Sequence, residues 1–370
     1  MTPLGRPIGL GRPARRPRGT RTRTRRPPPA TLRTNMTPMP FWADGHLDLA
    51  YLAVNGRDMR ASVPDDAPHS LSLASLREGD IRVALGTIFT ELGTDPANDR
   101  AGYLGSDDVE GAHRAGLLQL GWYESMERNG DIAIVRTRRD LARAASGDGP
   151  PGVVILMECA DPIRTPDEVA WWHARGLRVV GMSWGHGSRY AGGNARPGGL
   201  TPVGRRLVEA LDSCGILHDA SHLSRAAFDE LLAATDARVI ASHSNAQALL
   251  EHSERHITDA QIVAIRERDG WIGLNLYGHF LAKDRPATIA DGVAHTMHVA
   301  RLAGADRVGL GSDLDGGFGR EAYPVEIRST RHYPKLLAAL DAAGFTALGG
   351  THEGFAHANL MRVLEASLPA

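Results

Sequence analysis

The sequence predicts an α/β protein built as a (β/α)8 TIM barrel of the metal-dependent hydrolase type. From residue 41 onward, short apolar runs of strand length alternate with longer amphipathic stretches, and eight such runs can be counted. Metal-capable side chains recur at the C-terminal ends of these runs, which is where barrel enzymes carry their chemistry. The chain has 370 residues, enough for one barrel domain, which commonly needs about 250.

The runs cover residues 42–49, 81–89, 152–158, 179–184, 216–221, 239–243, 271–276 and 307–313. Helices are expected at 202–214, 224–234, 258–269 and 289–303. Ser224 ahead of RAAFDELL and Thr258 ahead of DAQIVAIRER supply N-cap oxygens to the free N–H groups of a first turn. A further strand-like run, 131–137, falls outside the count and is read as an extra element beyond the second strand. The competing architecture is an open doubly wound sheet. It usually carries a Gly-rich phosphate turn after its first strand, where this chain has GHLDLA.

The formal net charge of −1 hides an asymmetry, since residues 1–35 hold ten arginines and no acid, which leaves −11 for the remainder. That Pro- and Arg-rich stretch has no apolar periodicity and is expected to be disordered. It lacks the apolar segment of a signal peptide. Arginine clusters can tether a chain to nucleic acid or to an anionic surface. Met36 stands just before the first strand, so the stretch is read instead as a mis-assigned start, with the catalytic domain over 36–370 and no nucleic-acid partner. No apolar run approaches the roughly 20 residues that span a bilayer, so no membrane role is expected. Cys159 and Cys214 are the only cysteines. They are too few for a disulfide framework, which makes the cytoplasm the expected compartment.

Four stations carry the chemistry. His46 and Asp48, in DGHLD, are two apart, so on an extended strand both point to one face. Glu158 closes the apolar run GVVILME, where an ionised carboxylate needs either an arginine partner or a metal. His222 in DASHLS and His243 in ASHSNA are 21 positions apart with one predicted helix between, a single βα step that brings two imidazoles to one rim. Asp313 ends the run RVGLGSD and is favoured over Asp315 as the group that accepts and returns a proton. Lysine carbamates link metals in some barrels, but neither Lys283 nor Lys335, the only lysines, ends a predicted strand. Glu158 is therefore the candidate bridge between two metals.

The motifs DGHLD, MECADP, MSWGHGSRYAGGN, DASHLS, ASHSNA, GLGSDLDG and ANLMRVLE, in that order from Asp44 to Leu368, resemble the membrane (renal) dipeptidase family of metallopeptidases. The resemblance implies two Zn2+ per chain with a hydroxide between them. His46, Asp48 and Glu158 would hold one zinc, and Glu158, His222 and His243 the other. It implies that His186 contacts the scissile carbonyl or its oxyanion, that Arg255 grips the substrate's terminal carboxylate, and that Tyr277 touches substrate. The implied function is hydrolysis of small dipeptides, including those with a C-terminal D-residue, by a homodimer. Cys159 departs from the family's usual glycine beside the bridging glutamate, where a thiol could bind metal or crowd the site. The secretion signal and lipid anchor of the animal members are not found.

Two further readings compete. A hydrolase for another small amide, lactam or ester would use the same metals. A non-enzymatic ligand-binding barrel would have no need of a complete ligand set. His352 and His357 lie five apart, one too many for HExxH. His295 and His298 are read as a packed helix surface, and Trp171–Trp172 as packing or a subunit contact.

Overall fold

A computed structural model describes residues 39–250 and 254–370; the arginine-rich stretch 1–35 lies outside the described residues. The framework is a set of parallel strands: β1 (Trp42–Leu47), β2 (Ile81–Ile88), β3 (Gly152–Met157), β4 (Leu177–Gly181), β5 (Leu217–Asp219), β6 (Val239–Ile240), β7 (Ile272–Leu274) and β8 (Val308–Leu310). Ladders join β1 through β6 in that order and, separately, β7 to β8. Both faces of these strands are covered, which is why their sequences are almost continuously apolar.

The alternation along each strand sorts its residues into two clusters. Val83 and Leu85 of β2, Val154 and Leu156 of β3, Val179, Leu217, Ile240 and Trp271 converge in one. Leu360, Met361, Val363 and Leu364 of the last helix, Asn359–Ser367, join them there. The intervening Ala84, Ile88, Val153, Ile155 and Val180 pack outward into the larger cluster with the helices. Trp271 fills the inner cluster because Gly45, Gly273 and Gly309 make room, a Cβ at each meeting the indole at 2.5, 2.8 and 2.9 Å.

Each predicted helix forms close to its expected bounds: Pro202–Ser213, Arg225–Ala234, Asp259–Glu267 and Ile289–Ala303. Ser224 and Thr258 are N-caps, accepting from the N–H of Ala227 and Gln261. The strands are shorter than expected, because the polar residues at their ends turn away from the ladder to build the site. The run 131–137 contributes only Ala133–Ile134, paired alongside β3.

The ladders do not form a continuous ring. Between β6 and β7 the link is one parallel bridge, Ala241 with Ile272. Between β8 and β1 the Asp313 N–H donates to the His46 carbonyl at 3.2 Å. Side chains reinforce that seam. Asp44 Oδ1 accepts from the N–H of Ser312 at 2.8 Å and of His46 at 3.2 Å. The Tyr333 hydroxyl bonds Asp44 Oδ2 at 3.0 Å and Ser312 Oγ at 2.9 Å. No helix among the described residues is long and apolar enough to cross a membrane.

Candidate metal centre

The candidate residues gather at the C-terminal ends of the strands. His46 lies on β1, but Asp48 lies beyond it, at the N-cap of the helix Leu49–Val54 with φ −81° and ψ 46°. The extended HxD geometry expected from the sequence is therefore replaced by a turn, and the two side chains still meet, with His46 Nε2 3.8 Å from Asp48 Oδ1. Glu158 follows β3 directly, its N–H held by the Ile88 carbonyl of β2 at 3.1 Å. His222 and Asp313 have left-handed backbones, φ +66° and +55°, strained for side chains other than glycine and typical of functional sites.

Glu158 sits between two groups of donors. Its Oε2 faces His46 Nε2 at 3.5 Å, while Oε1 faces His222 Nε2 at 3.0 Å and His243 Nε2 at 3.5 Å. The two latter imidazoles approach with Nε2 atoms 3.0 Å apart. His46 and His243 stack at 3.6 Å between centroids. Asp313 joins His46 and Asp48, with ligand atoms all within 4.8 Å of one another. Asn275 Nδ2 donates to Asp313 Oδ2 at 2.9 Å. Asp315 turns elsewhere, holding Arg57 at 2.5 Å and the N–H groups of Ser70 and Leu71 at 2.7 and 3.0 Å.

The electrostatics follow from crowding buried carboxylates and imidazoles together. Burial is the largest influence on Asp48 and raises its pKa to about 7; His46 opposes, and Glu158 and Asp313 add to the rise. Burial also raises Asp313. For His46, burial works against the charged form, but Glu158, Asp48 and Asp313 outweigh it and lift the pKa to about 10. Burial opposes ionisation of Glu158, yet His46, His222 and His243 hold it well below the carboxylate range. Burial, with Arg255 adding, pushes His222 down to about 4, and burial with His46 and Arg255 lowers His243.

The donor set fits divalent cations. Asn194 Oδ1 lies 3.0 Å from His222 Nδ1, and Ser242 Oγ 2.7 Å from His243 Nδ1. Asn194 Oδ1 only accepts, so a neutral His222 carries its proton on Nδ1, whereas the Ser242 hydroxyl can give to or take from His243 Nδ1. Two ring nitrogens and a carboxylate oxygen converging at 3.0–3.5 Å are spaced as the ligands of one cation would be. Ligands at the ordinary zinc distances in a tetrahedron are about 3.4 Å apart. Thr87 Oγ1 bonds Asp48 Oδ1. Thr87, Asn194, Asp219, Ser242 and Asn275 were not singled out from sequence. Three of them stand inside motifs that were, since Asn194 closes SRYAGGN, Asp219 opens DASHLS and Ser242 lies in ASHSNA.

Cys159 is buried with Sγ 3.8 Å from the Tyr103 hydroxyl, and burial with Asp161 pushes its thiol up to about 12. It belongs to none of the metal-capable groups among the described residues. His352 pairs with Asp341, His357 with the Phe41 carbonyl, His298 with Asp259, and His295 accepts from the Ala246 N–H. Trp172 is buried and Trp171 is exposed.

Above the centre, Tyr51, Phe89 and Trp184 meet edge to face at 5.2 and 5.3 Å, and Trp184 lies 5.9 Å from the His222 ring. His186 is exposed beside Trp184, 5.3 Å away, on the turn where Trp184 bridges Gly187. Tyr277 packs on Phe318 at 4.3 Å and Phe280 at 4.9 Å. Arg255 is buried, donating to the His243 carbonyl at 2.8 Å and Ser244 Oγ at 3.1 Å, with its guanidinium 5.0 Å from the Phe280 centroid.

A parallel α/β framework with imidazoles and carboxylates converging at the strand ends is that of a metal-dependent hydrolase. Residues 34–368 match the model of the membrane dipeptidase family, peptidase family M19. The chain belongs to that family and is a metal-dependent dipeptidase. It is 27% identical over 337 residues to an uncharacterised dipeptidase of Schizosaccharomyces pombe, covering 86% of this chain and 79% of that one. The crystal structure of dipeptidase AC, a family M19 metallopeptidase, superposes with TM-score 0.76 at 27% identity, covering 90% of this chain and all of that one. A Rhodobacter sphaeroides metallopeptidase liganded with a phosphinate mimic of L-Ala-D-Ala gives TM-score 0.76 at 26% identity, covering 89% of this chain and 99% of the other.

Proposed function

We propose that the chain hydrolyses small dipeptides with two Zn2+ per chain, Glu158 bridging them, His46 and Asp48 completing one site and His222 and His243 the other. The observation that carries this reading is the division of Glu158, with Oε2 facing His46 and Oε1 facing His222 and His243. Metals bound there would supply Lewis acidity and acidify a water. Asp313, fixed by Asn275, takes up a proton and returns it to the leaving amine. His186 donates to the carbonyl oxygen as charge develops on it. Arg255 pairs with the terminal carboxylate, a match of planar fork to planar anion, and Tyr277 lines the same side.

Acceptance of a C-terminal D-residue is supported by the L-Ala-D-Ala mimic in the Rhodobacter neighbour. The same reading takes the strands as a closed eight-stranded barrel in a single domain over 36–370, supported by the Ala241–Ile272 bridge and the Asp313–His46 hydrogen bond. A reducing, cytoplasmic setting is supported by two free cysteines, and a homodimer by the family resemblance alone.

Metal analysis should give about two ions per chain, and a chelator should abolish hydrolysis across a panel of L,L and L,D dipeptides scored by kcat/KM. Undiminished cleavage by metal-free protein would sink the proposal.

A further inference from the structure

The Ser242 hydroxyl stands between a buried carboxylate and two imidazoles. Its Oγ is 2.5 Å from Asp219 Oδ2, 2.7 Å from His243 Nδ1 and 3.4 Å from His46 Nδ1. Asp219 Oδ1 accepts from the backbone N–H of Ser221 at 3.0 Å and of Ser242 at 2.9 Å. Those bonds fix the carboxylate and leave Oδ2 for the hydroxyl. The Ser242 backbone is fixed as well, because Gly45, Gly273 and Gly311 crowd its carbonyl so closely that a Cβ at each would meet it at 2.8, 2.1 and 1.8 Å.

A hydroxyl has one proton and two lone pairs. With the proton given to Asp219, Ser242 Oγ can only accept: His243 Nδ1–H at 2.7 Å takes one lone pair, and His46 Nδ1–H shares the other with the Ser221 hydroxyl, both at 3.4 Å, which leaves Nε2 of each ring for a metal. We propose that Ser242, oriented by Asp219, is a positioning residue common to both halves of the metal centre, holding one imidazole of each in the ligating tautomer. This rests on the two-metal reading above.

Asp219→Asn supplies a test of nearly unchanged shape. The two backbone donors keep the amide oxygen at the Oδ1 position, so the NH2 group faces Ser242 Oγ. The hydroxyl proton must then go to His243 Nδ1, leaving Nε2 protonated and unable to ligate. Zinc affinity measured by chelator competition should fall about 10–100-fold at both sites in Ser242→Ala, and at the His222–His243 site in D219N. Ser242→Thr, which keeps the hydroxyl, should restore it. The absorption spectrum of the Co2+ form should change in the first two variants and not in the third.

Histidine 15N spectra of the metal-free wild type should show His243 protonated on Nδ1, and those of D219N on Nε2. Wild-type affinity at the His222–His243 site in D219N, or at both sites in Ser242→Ala, overturns the proposal, as does a wild-type His243 protonated on Nε2, a measurement that needs no variant. A wild type that binds no metal yet shows the Nδ1–H tautomer would instead refute the metal centre and leave the Asp219–Ser242 arrangement standing.

Discussion

The Nε2 atoms of His222 and His243 lie 3.0 Å apart, and His222 reaches that position from a left-handed backbone. Glu158 Oε1 completes the triangle, 3.0 Å from His222 Nε2 and 3.5 Å from His243 Nε2, the arrangement on which the proposed second metal site rests. Glu158→Gln should therefore reduce bound metal from about two ions to one or fewer. Turnover should fall by more than about 100-fold, since losing a direct ligand exceeds the 10–100-fold typical of its supporting groups. Elemental analysis and kcat/KM measured together provide the check; two ions with normal turnover would exclude the bridge.

If Asp313 carries the proton as proposed, Asp313→Asn should lower kcat by about 100- to 10,000-fold while leaving KM nearly unchanged. The amide keeps the shape of the carboxylate and loses its basicity. Steady-state kinetics with one dipeptide suffice, and an unaltered kcat would remove Asp313 from the chemistry.

Arg255→Lys retains the charge and loses the planar fork. It should raise KM by about 10-fold or more, the value of a charge-assisted hydrogen bond. Wild type should also prefer a free dipeptide over its C-terminal amide, and the variant should lose much of that preference. Equal discrimination in both proteins would place the carboxylate elsewhere.

Acid should weaken the fold through two histidines outside the centre. Burial is the main reason that the pKa of His256 drops to about 3 and that of His295 to about 4. The unfolded chain takes up protons on both near pH 6.5, while the folded chain stays neutral there. Their stabilisation is thus complete above about pH 6.5 and is lost as pH falls toward 4. Each should account for about 2 kcal/mol lost between pH 7 and pH 5. Urea unfolding of His295→Gln should show a pH dependence smaller by that amount, and parallel curves would contradict the assignment.

The strand count, the four helices and the gathering of His46, Asp48, Glu158, His222, His243 and Asp313 were legible because they rest on periodicity and on side chains whose burial demands a partner. Strand lengths were not, since a ladder ends where a polar residue finds a better partner outside it. Asp48, for example, leaves β1 for a helix N-cap. The supporting groups were hidden for a different reason. Thr87, Ser242 and Asn275 are ordinary polar residues until the fold sets them against a ligand, and nothing in their spacing reports a contact such as Ser242 with His46, 196 positions apart. The backbone links at the two weakly paired positions, between β6 and β7 and between β8 and β1, likewise depend on strand ends that periodicity does not locate.

The seam between β8 and β1 is stitched by Asp44, Ser312 and Tyr333 and has no ladder. It is also the boundary across which Asp313 meets His46 and Asp48. Parting these strands would separate the Asp313 carboxylate, proposed to carry the proton, from its neighbours while the helices stayed intact. On warming, the molecule would then lose catalysis before it lost its shape.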